Sequence, residues 1–159
     1  MNDALNAIWV KLAGLLVAGH RVAASPSPDY PFGTLVKQFP IFQQLGLDLA
    51  GFFPGTLNLS IQPLTWSMAR PDLTFHQVQW TDLHPPEDFS FAACRLLWEK
   101  TWHPGWIYFP HPETKVRHFQ DANVLEIISP PLQGIRYGDC IDLELNARAV
   151  RLIQPGGGA

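Results

Sequence analysis

The sequence predicts a mainly β domain, an all-β barrel of short strands with few helices. Three observations carry this. Fifteen prolines and twelve glycines in 159 residues favour short strands and shaped loops over long helices. Residues 75–80 and 140–145 alternate apolar and polar side chains, as half-buried strands do. A rigid Pro54-Gly55 turn opens directly into an apolar run, Leu57-Asn58-Leu59-Ser60-Ile61, that reads as a strand.

Taken in order, Leu5, Ile8, Trp9, Leu12 and Leu16 recur at helical spacing and predict a short amphipathic helix. Residues 1–14 are therefore expected to be a helical extension, with a first strand over 15–23. Residues 25–33 are a loop by composition. Residues 34–46 carry Leu35, Phe39, Phe42 and Leu45, and read as a strand or a short helix beside the sheet. Strands are expected at 56–61 and 75–80, then a loop at 84–88. Residues 89–98 fit either a strand or a helix, and 106–109 a strand stopped by Pro110-His111-Pro112. The end is clearer, with strands at 124–129 and 140–145 separated by the Pro130-Pro131 turn. One domain over residues 15–150 accounts for the core, and 151–159 reads as a flexible tail.

Composition excludes several classes. Apolar residues make up 47%, which rules out intrinsic disorder. A net charge of −3 gives no basic footprint for nucleic acid or an anionic membrane. The apolar stretch over 13–18 lacks the flanking charge of a signal peptide, and no run approaches the length of a membrane span. Two cysteines, Cys94 and Cys140, make neither a disulfide scaffold nor a zinc site, and are read as small buried thiols of a cytoplasmic protein.

The run from Gly51 to Ile61 carries the chemistry. Thr56 and Asn58 stand two residues apart on a strand and so point to one face. They offer a hydroxyl and an amide carbonyl at the mouth of a sheet. Hard oxygen donors of this kind suit Mg2+ bound together with phosphate oxygens.

Two separated runs resemble the CTP-dependent riboflavin kinases, a family known mainly from archaea. The first is Leu45-Gly46-Leu47 followed by Phe53-Pro54-Gly55-Thr56-Leu57-Asn58-Leu59, similar to the family's Pro-Gly-Thr-Leu-Asn motif. The second is Arg117-His118 followed by Asn123-Val124-Leu125-Glu126-Ile127-Ile128-Ser129-Pro130, and Gly138-Asp139-Cys140-Ile141 matches a closing Gly-Asp strand. The resemblance implies a small six-stranded cradle-loop barrel with short peripheral helices. It also implies transfer of the γ-phosphate of CTP, or of another nucleoside triphosphate, to riboflavin to give FMN. Carried over, Thr56 and Asn58 hold Mg2+, and His118 and Glu126 contact the flavin. The nucleotide contacts fall on Ser25, Ser27, Gly33 and Thr34 and on Pro131, Leu132 and Gln133. The expected partners are these small molecules, with no nucleic acid and no membrane.

The chain departs from the family pattern at three places. The first loop, residues 25–33, has three prolines and one glycine where the family has a glycine-rich phosphate cradle. His118 replaces a threonine. The Pro131-Leu132-Gln133-Gly134 segment is short and lacks the family's arginine. These departures define an alternative, a barrel that binds a flavin or nucleotide without catalysis.

Other residue types point less sharply. His76, His84, His103 and His111 lack ligand spacing and read as solvated or capping side chains. Among six tryptophans, Trp98, Trp102 and Trp106, together with Tyr108, are the candidates for an aromatic wall around a flavin ring. Asp139 reads as a turn residue.

Overall fold

The computed structural model describes residues 7–18, 34–114 and 121–156. These residues form nine strands and one helix. The mainly β expectation holds. Strands β1 (Trp9–Val17), β2 (Leu57–Ser60), β5 (Glu87–Trp98), β6 (Thr101–Pro110), β7 (Val124–Ile128) and β8 (Cys140–Asn146) pair in the order β5-β6-β7-β2-β1-β8, and β8 pairs back onto β5. The result is a closed ring of six strands, antiparallel at every junction. Closure leaves no unpaired edge in the ring. Strand β4 (Leu73–Val78) adds to β5 outside it, and β3 (Thr65–Met68) pairs with β9 (Val150–Ile153) as a separate ribbon.

The opening segment corrects the helical reading. Trp9–Val17 is a strand, with Leu12, Gly14 and Leu16 turned inward and Lys11, Ala13 and Leu15 outward. Leu12 and Leu16 are four residues apart, a spacing that suits a helix face and an alternating strand equally. Residues 1–6 lie outside the described ones. The tail is also corrected at its start, because Arg151, Leu152 and Ile153 pair with Ser67, Trp66 and Thr65.

The middle of the chain resolves into the long hairpin β5–β6, joined by Glu99 and Lys100, both with positive φ (49° and 63°). This is the handedness that a two-residue hairpin turn requires. Gly105, opposite Cys94 on this hairpin, allows close packing: a Cβ there would lie 2.6 Å from Leu96 Cδ1.

Two apolar cores result. One fills the ring, with Leu59, Leu96, Ile107, Leu125, Ile127 and Leu143 fully buried. The other lies on its outer face, where α1 (Thr34–Gln44) and β4 cover Phe89, Phe91, Tyr108 and Ile128. Residues 34–44 are thus helical, with Leu35, Gln38, Phe39 and Phe42 on the buried side. Gly46 ends this helix at φ 112°, as Leu47 N–H donates to Phe42 O at 3.0 Å. That left-handed cap is what the glycine of Leu45-Gly46-Leu47 provides. Leu47 then drops into the outer core. No helix among the described residues is long and apolar enough to cross a membrane.

Candidate functional site

The two motifs that stand apart in sequence are neighbours in the ring. Strands β2 and β7 pair with Asn58 opposite Glu126 and Leu57 opposite Ile127. Leu59, Leu125 and Ile127 point into the ring core, so Thr56, Asn58 and Glu126 share the outer face. Thr56 Oγ1 donates to Glu126 Oε1 at 3.5 Å. The turn that presents Thr56 is fixed to the end of β7, because Phe53 N–H donates to Ser129 O at 3.0 Å and Gly55 N–H to Phe53 O at 2.9 Å.

The row continues across β6. Trp106 pairs with Ile128 and Ile107 with Ile127, a register that sets Tyr108 opposite Glu126. Tyr108 is buried and donates its hydroxyl to Gln38 Oε1 at 2.8 Å, joining the sheet to α1. Burial pushes the Tyr108 phenol well above its usual range, and the carboxylates of Glu126 and Glu87 push it the same way. Tyr108 therefore stays a neutral donor.

Two cavities flank the Thr56–Glu126 contact. The larger, about 340 Å³, is lined by Trp66, Tyr108, Phe109, Pro110, Val124 and Glu126 among others. Its volume is in the range of small-ligand pockets. Trp66 and Phe109 form an edge-to-face pair with centroids 5.5 Å apart, and Trp66 is pinned by its indole N–H donating to Val124 O at 2.9 Å. The smaller, about 240 Å³, is lined by Phe53, Gly55, Thr56, Ser129, Pro131 and Leu132 among others. No lysine or arginine lines either cavity among the described residues.

The expected site residues thus divide. Thr56, Asn58 and Glu126 come together. Pro131 and Leu132 share the smaller cavity with Thr56. Gln133 is exposed and lines neither cavity; its carbonyl accepts from Trp98 Nε1 at 2.8 Å. Thr34 opens α1 and also lines neither. Ser25, Ser27, Gly33 and His118 lie outside the described residues.

Of the four aromatic candidates, Tyr108 lines the larger cavity, whereas Trp98, Trp102 and Trp106 do not. Trp106 packs against the outer core, and Trp102 lies at a surface depression beside Arg95 and His103. Trp66 and Phe109 line the larger cavity beside Tyr108. Phe109 stands next to Tyr108 on β6, but Trp66 arrives on the β3–β9 ribbon, a pairing that no local pattern announces.

Several other polar residues have structural partners. His111 contacts Ser90 Oγ at 2.6 Å and Glu113 Oε1 at 3.0 Å, and His76 contacts Asp88 Oδ2 at 3.4 Å. Asp139 accepts from Arg136 N–H at 2.8 Å, the turn role expected of it. Cys94 is buried and its thiol pushed up by burial, whereas Cys140 is exposed, against the expectation of two buried thiols. Among the described residues no three His, Cys, Asp or Glu side chains gather into a metal cluster. The Thr56 hydroxyl and the Asn58 amide oxygen are the donors expected to hold Mg2+, and hard oxygens of this kind suit that ion. No protein-family model matches the chain, and a search of curated proteins finds no match.

Proposed function

We propose that the protein is a riboflavin kinase-like phosphotransferase, in which the six-stranded ring is a cradle-loop barrel of the riboflavin-kinase type. The observation that carries this reading is the meeting of the Pro54–Asn58 and Leu125–Ile127 runs, with Thr56, Asn58 and Glu126 on one face between two cavities. The donor is CTP or another nucleoside triphosphate, the acceptor riboflavin and the product FMN. Mg2+ bound at Thr56 and Asn58 supplies neutralisation of the triphosphate charge. Phosphoryl transfer needs positioning and charge balance more than covalent chemistry, so a shaped cleft with few polar groups suffices.

Each part of the site then has a task. Trp66, Tyr108 and Phe109 take the isoalloxazine ring in the larger cavity, with Glu126 accepting hydrogen bonds from ribityl hydroxyls at its edge. The smaller cavity, with Pro131 and Leu132 in its wall, holds the nucleotide beside Thr56. His118 joins the flavin contacts, and Ser25, Ser27, Gly33 and Thr34 the phosphate contacts, on the resemblance alone.

A second reading is favoured by the lack of lysine or arginine around both cavities among the described residues and by the three prolines of the first loop. In it the chain binds a flavin or nucleotide without catalysis. Mixing the protein with riboflavin, Mg2+ and each of CTP, ATP, GTP and UTP, then separating flavins by chromatography, tests both. FMN with at least one donor supports the kinase reading. Tight riboflavin binding with no FMN from any donor leaves the binding module.

A further inference from the structure

Two neutral oxygens hold a divalent cation weakly, because neither carries charge against the cost of dehydrating the ion. In the kinase reading the compensating charge would arrive with the nucleotide. The structure places a carboxylate in the same spot. Glu126 is directly opposite Asn58 on the paired strand, and its Oε1 is 3.5 Å from Thr56 Oγ1. Directly opposite residues on antiparallel strands have Cβ atoms about 4.5–5.5 Å apart, which brings both side-chain ends within reach of one ion.

The distance supports shared ligation. Ligand oxygens at about 2.0–2.1 Å from an octahedral Mg2+ lie roughly 3 Å from their neighbours. Closing the Thr56–Glu126 separation by about half an ångström reaches that value. At 3.5 Å the present contact is at the outer limit of a hydrogen bond, so it restrains the hydroxyl only weakly. Among the described residues no charged side chain lines the Thr56 cavity, and Glu126 is the carboxylate in contact with the Thr56 hydroxyl.

We propose that Glu126 is the anionic ligand of a divalent-cation site completed by Thr56 and Asn58, so that the chain binds Mg2+ or Mn2+ before any nucleotide is present. The proposal rests on the reading that puts a metal at Thr56 and Asn58, and extends it by making Glu126 a metal ligand as well as a flavin contact. The carboxylate then ties the metal to the edge of the larger cavity.

Electron paramagnetic resonance titration of the nucleotide-free, full-length protein with Mn2+ tests this. One Mn2+ per chain is expected, displaced by excess Mg2+. Glu126→Gln is expected to weaken binding by at least about tenfold, and Glu126→Asp by less. Unchanged affinity in Glu126→Gln, with loss in Thr56→Val, overturns the role of Glu126 and leaves the Thr56–Asn58 reading intact. No Mn2+ uptake without nucleotide also overturns the proposal. Uptake restored by added CTP would then uphold the underlying metal reading, and no uptake with CTP would remove both. Thermal melting checks that the variants fold. Mn2+ broadening of wild-type amide resonances needs no variant: broadening centred on Thr56, Asn58 and Glu126 supports the site, and broadening elsewhere overturns it.

Discussion

Thr56 and Glu126 lie 70 residues apart in sequence and meet across β2 and β7, hydroxyl to carboxylate at 3.5 Å. The contact stands between a cavity walled by aromatic rings and a cavity walled by the Pro54-Gly55 and Pro130-Pro131 turns. In the proposed reaction this is where acceptor hydroxyl and donor phosphate meet. Thr56→Val removes the oxygen and keeps the shape. It is expected to lower FMN formation by about a hundredfold, the scale of losing one preorganised polar group from a transition state. Riboflavin affinity should stay within about twofold, and Thr56→Ser should retain most of the activity. Steady-state kinetics alongside a flavin fluorescence titration separates the two effects.

The larger cavity makes a prediction about which tryptophan matters. Trp66 faces Phe109 at 5.5 Å and lines the cavity, whereas Trp102 is 41% exposed and lies at a surface depression with Arg95 and His103. Trp66→Leu should weaken riboflavin binding by roughly ten- to a hundredfold, equivalent to about 1–3 kcal/mol of lost aromatic burial. Trp102→Ala should leave it unchanged. Quenching of flavin fluorescence reports both.

Tyr108 couples stability to alkaline pH. Its phenol is buried and donates to Gln38 at 2.8 Å, and burial first, then Glu126 and Glu87, raises its pKa in the fold. The folded state thus favours the neutral phenol. That contribution is fully present below about 10, the ordinary tyrosine value, and is lost as pH rises above it toward the folded pKa. Tyr108→Phe leaves the Gln38 carbonyl without this donor and should cost about 1–3 kcal/mol at neutral pH. It should also flatten the fall in stability above pH 10. Urea unfolding as a function of pH measures the difference.

Gly105 is closely packed in the ring interior. A methyl group there would lie 2.6 Å from Leu96 Cδ1, 3.0 Å from Cys94 Sγ and 3.2 Å from Ile127 Cγ2. Leu96 and Ile127 are fully buried, so they have little room to retreat. Gly105→Ala should lower stability by roughly 1–3 kcal/mol through overpacking. Thermal melting should register a loss of several degrees for a domain of this size.

How much of this the sequence disclosed follows from the range of each cue. Strands β2, β7 and β8 were legible because their alternation is local and a Pro-Gly or Pro-Pro turn lies close by. The pairing of Asn58 with Glu126 was not legible, since nothing in either strand names its partner. Strand β1 read as a helix because Leu12 and Leu16 satisfy both periods at once. Residues 34–46 were open between strand and helix, and Gly46 at the left-handed cap is the residue that marks the helix end. The β5–β6 hairpin was hidden because Glu99 and Lys100 adopt positive φ without the usual Asn-Gly. Trp66 was missed as a cavity residue because its place depends on the late strand β9, whose residues 151–153 read as tail.

The proposed function is phosphoryl transfer to a flavin on this face of the ring. Phosphorus NMR of one sample of wild-type protein with CTP, riboflavin and Mg2+ tests it most directly. A growing FMN monoester resonance matched by formation of CDP is expected, both absent when Mg2+ is chelated. Riboflavin that binds in the cavity while the CTP, ATP, GTP and UTP spectra all stay unchanged would contradict it.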